Sequence, residues 1–289
     1  MFEWDFARSP LALPKGAGHC KWKDWLQALI VTSFPGVALA LFYGQNSLIT
    51  TAIAAAALVF LESSPILSGV FLSALAIKPQ LALLFPVALA CGRHWKVLAV
   101  ASVATGAYIG STVGVFGLKV WQTFLEWLPR FNQAALEHGG PKLLALMPTV
   151  FAASRLFGLS VTSAYWLHAA VAIPAIFTMA YLWFVRARFE LRCAALCVAT
   201  LLAQPYLLHY DLAWLAVPIA LLLRDRKSVP LDTADRVVII FAWLLPGASF
   251  VTVALGLPGY WRSAALVALL VVIVRRHVNT LSEANSQVP

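Results

Sequence analysis

Long apolar runs cover most of this chain, and short polar, proline-bearing or basic breaks divide them. Each run predicts a helix in a lipid solvent. The first spans residues 25–43, is interrupted at Pro35-Gly36 and ends on Gly44-Gln45-Asn46. The second, residues 47–61, falls short of the roughly 20 residues that cross a ~30 Å hydrocarbon core. These two therefore predict a hairpin with Gly44, Gln45 and Asn46 at its tip. After Glu62-Ser63-Ser64-Pro65, two more short runs, residues 66–77 and 81–91, meet at Lys78-Pro79-Gln80. Residues 97–116 form a full span. Within residues 117–158, Trp121, Phe124, Leu125 and Leu128 fall at i, i+3, i+4, i+7, the pattern of a helix lying in the membrane interface. Residues 160–185 span again. Residues 193–224 are interrupted at Gln204-Pro205-Tyr206 and at His209-Tyr210-Asp211, and residues 237–255 and 263–274 form a last pair around a turn at 256–261.

Composition confirms the solvent. With 61% hydrophobic residues, a mean hydropathy of +0.83 and only 11% charged residues, a water-soluble globule is excluded. The expected fold class is an all-α polytopic membrane protein with several short, broken helices. A net charge of +9 in a soluble chain would suggest nucleic acid. Here the basic residues sit in clusters between spans, at Arg93 to Lys96, Arg186 to Arg192, Arg224 to Lys227 and Arg275-Arg276, so no nucleic-acid partner is expected. The positive-inside tendency places these clusters in the cytoplasm. It follows that residues 1–24 form a cytoplasmic N-terminal segment. Residues 25–276 form one transmembrane domain whose interfacial segment, 117–158, is outside. Residues 277–289 form a polar, disordered cytoplasmic tail. The same parity puts all three polar tips, GQN, KPQ and QPYLLHYD, on the outer face. A single continuous crossing through residues 66–91 is the rival topology, and it would reverse the N-terminus. Cys20, Cys91, Cys193 and Cys197 lack metal-ligand spacing with histidines and read as helix-packing residues.

The candidate chemistry lies in those tips. An ionisable side chain inside a hydrocarbon-length segment costs roughly 2.5–3.5 kcal/mol on insertion scales, and it usually faces a cavity, a partner or a ligand. Lys78 is such a residue, and Pro79 breaks the helix beside it by removing a backbone donor. Of the twelve acidic residues only Asp211 sits well within an apolar run. Lys78 and Asp211 either form an internal ion pair that fixes packing, or hold a ligand: a lysine suits a phosphate, and a carboxylate suits a sugar hydroxyl. His209 is a packing or a catalytic histidine. Gln45 and Asn46 cap the following helix or contact a ligand. Tyr206 and Tyr210 are interfacial aromatics on which a sugar can also stack.

In order along the chain stand Pro35 through Gly44-Gln45-Asn46, then Pro65, Gly69 and Lys78-Pro79-Gln80, then Arg93-His94-Trp95, and finally PYLLHYDL from Pro205 to Leu212. This ordered set resembles glycosyltransferase family 87, whose members use polyprenyl-phosphate sugars and include mycobacterial mannosyltransferases. The resemblance is clear over residues 30–223. It implies the membrane fold called GT-C, in a bacterial inner membrane. A hexose, mannose-like, would pass from a polyprenyl-phosphate carrier to a hydroxyl of a lipid or glycan acceptor at the outer face. It further implies that Lys78 and Gln80 bind the donor phosphate, and that Gln45, Asn46, Tyr206, His209, Tyr210 and Asp211 line the substrate cavity. No cofactor and no metal are expected, because a lysine meets a lipid monophosphate and no carboxylate pair is present. Family members carry the catalytic aspartate on an outer loop after a further N-terminal helix. This chain reads as lacking that part, through a late start, a truncation or a genuine variant. Glu3 and Asp5 fall on the inner side in this topology with no matching motif around them, and Glu126 and Glu137 of the outer segment are substitutes only in principle, so the catalytic residue is unassigned. Two other readings compete: a transporter or flippase for a lipid-linked or small polar substrate, since broken helices around a charge also mark transporters, and a non-catalytic remnant of the enzyme.

Overall fold

The computed structural model describes residues 33–226, 228–257 and 259–286. The expected N-terminal segment, Cys20 and the start of the first span lie outside these residues. Every described element is helical. Proline sets several of the starts, because its fixed φ and missing N–H suit the first turn. Helix α1 (Pro35–Phe42) opens on Pro35 and ends before Gly44, whose φ of +59° reverses the chain. Helix α2 (Ser47–Val59) follows, then α3 (Pro65–Ala74), which tightens into a 3₁₀ turn at Leu75–Ile77. At Lys78 the backbone leaves the helix with φ −139° and ψ 73°, the extended form expected of a residue before proline. Two short helices, α4 (Pro79–Ala82) and α5 (Phe85–Cys91), complete this stretch.

Residues 65–91 fold as a hairpin of short helices and not as one continuous helix. Glu62, before the hairpin, pairs with Arg192. His94, after it, packs edge-on against Trp183 at 5.8 Å, and the Arg192 guanidinium lies 5.2 Å from the same indole. Both ends of the hairpin therefore meet at one end of the molecule, while Lys78 stands at the other. Helix α6 (Trp95–Phe116) runs along α3, and α7 (Leu118–Asn132) is the amphipathic helix expected from the aromatic spacing. A π-turn (Gln133–Glu137) and the short helices α8 (Pro141–Ala145) and α9 (Val150–Leu156) complete the segment placed between spans. Then come α10 (Val161–Phe184), α11 (Phe189–Ala203), a 3₁₀ segment (His209–Leu215), α12 (Ala216–Asp225), α13 (Thr233–Ala254) and α14 (Arg262–Ser286).

Four helices among the described residues are long and apolar enough to cross a membrane: α6, α10, α13 and the Arg262–Ser282 part of α14. The centre of the bundle is α11, buried on every side from Leu191 to Leu202. Its Ala194, Ala195, Cys197 and Ala199 let neighbours approach closely, and in lipid that close packing supplies the association energy. Cys193 and Cys197 are fully buried free thiols within it, as packing residues would be. The crossing of α3 and α6 depends on Gly69, where an added Cβ would meet Val100 at 2.7 Å. Ser68 ties α3 to α2 by donating to the Ala57 carbonyl at 2.7 Å.

The basic end is locked by ions. Asp225 accepts from Arg188 and Arg276, Asp235 from Arg275 and Arg276, and Arg276 also donates to the Val229 and Pro230 carbonyls. One expectation fails here. Residues 277–286 of the polar tail are not disordered, since α14 runs on to Ser286 with His277 buried and Thr280 donating to the Arg276 carbonyl, and residues 287–289 lie outside the described residues. Extending an established helix fixes one residue per new hydrogen bond, and no glycine or proline interrupts residues 277–286.

Candidate functional site

The three broken tips converge at the end opposite the ion lock. Asp211, in the 3₁₀ segment, receives the Lys78 ammonium at 2.6 Å and the Ser47 hydroxyl at 2.6 Å, both on Oδ1. Lys78 also reaches Ser47 Oγ at 3.2 Å, closing a triangle between α2, the α3–α4 break and the 3₁₀ segment. Oδ2 of Asp211 makes no hydrogen bond among the described residues. The side chains of Lys78 and Asp211 are 14% and 9% exposed, so the pair is largely shielded without being sealed. The Lys78 ammonium also lies 5.3 Å from the centre of the Tyr210 ring, within cation–π range.

On one side of Lys78 opens a groove of about 1090 Å³. Its polar end holds Lys78, Gln80, Gln204 and Tyr206. The remaining walls are mostly apolar, formed by Leu72 and Leu83, by Tyr108 and Ile109 of α6 and by the aromatic face of α7, with Thr105, Thr112 and Asn132 as polar exceptions. The indole of Trp121 pins α7 over the groove by donating to Thr112 Oγ1 at 3.0 Å. On the other side of Lys78 lies an aromatic and polar patch. The ring of Tyr43 meets His209 edge-on at 4.8 Å and Tyr210 at 5.9 Å. His209 is buried, and its Nδ1 faces the Leu146 carbonyl at 3.2 Å. A carbonyl only accepts, so Nδ1 carries the proton. In the neutral ring Nε2 is then a bare acceptor, and it is buried without a partner.

The predicted residues are thus divided. Lys78, Gln80 and Tyr206 line the groove, whereas His209, Tyr210 and Asp211 gather behind Lys78. Gln80 is exposed, and its backbone carbonyl accepts from Gln204 Nε2 at 2.8 Å. Gln45 folds back to donate to the Tyr43 carbonyl. Asn46 occupies the cap position of α2 without a side-chain capping bond, and its Oδ1 is buried and unpartnered. Two residues escaped the sequence reading. Ser47 is one of many serines in apolar sequence, and only its position directly after Asn46 hinted at a role. Gln204 was visible only as punctuation before Pro205.

Three of the ordered motifs, at Gly44-Gln45-Asn46, Lys78-Pro79-Gln80 and Pro205 to Leu212, therefore come together in space around one cation, whereas Arg93-His94-Trp95 lies at the opposite end. The model for glycosyltransferase family 87 matches residues 7–205. The chain belongs to glycosyltransferase family 87. Neither a curated protein nor a solved structure matches it. The family makes this chain a membrane glycosyltransferase in general terms, in keeping with its apolar spans. The matched region carries the Gln45-Asn46 tip, Lys78 and the groove apart from Tyr206, while Tyr206 and the HYD segment at residues 209–211 lie just beyond it.

Proposed function

We propose that this protein is a hexosyltransferase that takes a mannose-like sugar from a polyprenyl-phosphate carrier and gives it to an acceptor hydroxyl of a lipid or glycan. One observation carries the reading: an apolar groove of lipid-chain dimensions ends at a lysine. In the proposed complex the polyprenyl chain lies along α6 and α7, and the phosphate reaches Lys78 and Gln80. The sugar then faces the patch of Asn46, His209, Tyr210 and Asp211, with Gln45 and Tyr206 at its rims. In the transfer, the acceptor oxygen forms a bond to the anomeric carbon as the bond to the phosphate breaks. The phosphate leaves with both bonding electrons, and Lys78 stabilises that growing charge. The acceptor proton passes to a base, and neither Asp211 nor His209 is assigned that role here. The site is proposed to open on the extracytoplasmic face of a bacterial inner membrane, with both termini in the cytoplasm and the GT-C helix arrangement around it.

The test is binding and transfer with a labelled short-chain polyprenyl-phosphate mannose, using protein in nanodiscs and normalising to folded protein. Lys78→Ala should weaken donor binding by about tenfold or more, the scale of a lost charge-assisted contact. Leu125→Trp, which narrows the groove, should weaken it without touching the ion pair. Unchanged affinity in both variants would sink the proposal. Movement of intact donor across sealed vesicles without transfer would favour the flippase reading.

A further inference from the structure

A second cavity, of about 620 Å³, lies between α12 and α13 at the basic end, remote from Lys78. Its rim holds Arg226 and Arg236, and below them the walls are Leu223, Leu231, Ile239 and Ile240. Arginines at this end are mostly neutralised: Arg188, Arg192, Arg224, Arg275 and Arg276 each reach a carboxylate. Arg226 and Arg236 reach none among the described residues. The nearby acids are already engaged, since Asp225 holds Arg188 and Arg276, while Asp232 and Asp235 hold Arg275. Arg236 is oriented by its Nε, which donates to the Leu231 carbonyl at 3.1 Å, and its terminal nitrogens make no bond among the described residues.

The apolar floor continues onto the outer surface of the bundle. Leu223 of α12 is exposed there, as are Val237, Ile240, Phe241 and Leu244 of α13, a helix long and apolar enough to cross a membrane. The result is a slot with two uncompensated guanidinium groups at the level where apolar sequence gives way to charge, and an apolar channel leading from it toward the hydrocarbon. A soluble anion would use only the rim.

We propose that this slot is a binding site for an anionic phospholipid of the leaflet at the basic end. The phosphodiester sits between Arg226 and Arg236, and an acyl chain lies against Leu223 and Ile240. Basic pockets between membrane helices recognise phospholipid head groups by this combination of charge and adjoining hydrocarbon. The site is separate from the sugar-transfer groove and independent of what that groove binds. A lipid wedged here would bridge the C-terminal end of α12 to the start of α13, the two helices whose Asp225 and Asp235 meet on Arg276.

Native mass spectrometry of the full chain, released from a neutral detergent, tests this. The probes are dioleoyl phosphatidylglycerol and, as the neutral control, dioleoyl phosphatidylcholine. One tightly retained phosphatidylglycerol and no retained phosphatidylcholine are expected. Each basic side chain near an anionic lipid contributes about fivefold, so Arg226→Gln and Arg236→Gln should each weaken retention by about that factor and the double variant by about 25-fold. Ile240→Trp, which fills the channel while leaving both charges, should also reduce it. Lys96→Gln removes a cation from the same end of the bundle outside the slot and should leave retention unchanged. Equal losses in Lys96→Gln and Arg226→Gln would mean diffuse surface attraction and would overturn the proposal. So would displacement of the lipid by an equal concentration of glycerol 3-phosphate.

Discussion

Replacing Asp211 with asparagine removes the negative charge from the triangle at Lys78 while keeping the size of the side chain. The Lys78 nitrogen lies 2.6 Å from Asp211 Oδ1, and both side chains are mostly shielded. At an effective dielectric constant near 20, two unit charges at that separation attract by about 6 kcal/mol. Desolvation of the two groups offsets most of this, so the intact pair contributes little net stability. Removing one partner is a different matter, because the desolvation cost of the remaining charge is no longer offset. Asp211→Asn should therefore destabilise the fold by about 3 kcal/mol, at the lower end of the range for a broken buried pair because the lysine is not wholly sealed. Ser47→Ala removes only one bond to the carboxylate and should cost about 1.5 kcal/mol. The double variant Lys78→Met with Asp211→Asn leaves no charge behind and should cost about 1 kcal/mol, less than Asp211→Asn alone. The assay is unfolding of the detergent-solubilised protein by increasing SDS fraction. Tryptophan fluorescence gives the readout, since Trp214 sits in the same core and donates to Thr50 Oγ1 at 3.0 Å. If the double variant loses as much as Lys78→Met and Asp211→Asn measured separately and added together, the pair is not energetically coupled and the reasoning fails.

Two further outcomes follow from packing and charge elsewhere. Gly69→Ala places a methyl group 2.7 Å from Val100 and 3.0 Å from the Ala101 backbone nitrogen. Backbone cannot yield, so α3 and α6 must separate at a cost of about 1–3 kcal/mol; an unchanged unfolding midpoint would refute the close crossing. His94, in the turn before α6, has its pKa lowered by burial and then by the positive charge of Arg192. Between that lowered value and the unfolded value near 6.5, the unfolded chain binds more protons than the folded one, so stability rises with pH. The protein should accordingly lose stability as pH falls below about 6.5, and His94→Gln should flatten that loss. Identical pH slopes for the two proteins would remove His94 as a cause.

Much of this architecture is legible without coordinates, because the signals that make and break membrane helices are local. Pro35, Pro65 and Pro79 start helices, Gly44 turns the chain, and Lys78-Pro79 breaks a run too short to cross; each acts within a few residues of itself. The spacing from Trp121 to Leu128 likewise announces α7 as an amphipathic helix. Parity of the basic clusters even brings the three polar tips to one end of the bundle, which is where the structure holds them. Extension of α14 past Arg276 was not legible, since a polar composition says nothing about a helix already nucleated upstream.

What the tertiary structure alone decides is how those tips engage. Lys78 and Asp211 are 133 positions apart, and no local pattern distinguishes a cation that waits for a ligand from one that already holds a carboxylate. Ser47 joins them only because α2 and the 3₁₀ segment are packed side by side. The groove beside Lys78 exists because α7 folds back over α6 and α3, and its volume depends on crossing distances set by residues such as Gly69. Hydropathy and proline chemistry are properties of short stretches and can be read along the chain. A site built from ion pairs and cavity walls is a property of distances between stretches, which arise only once close packing has chosen which helices touch.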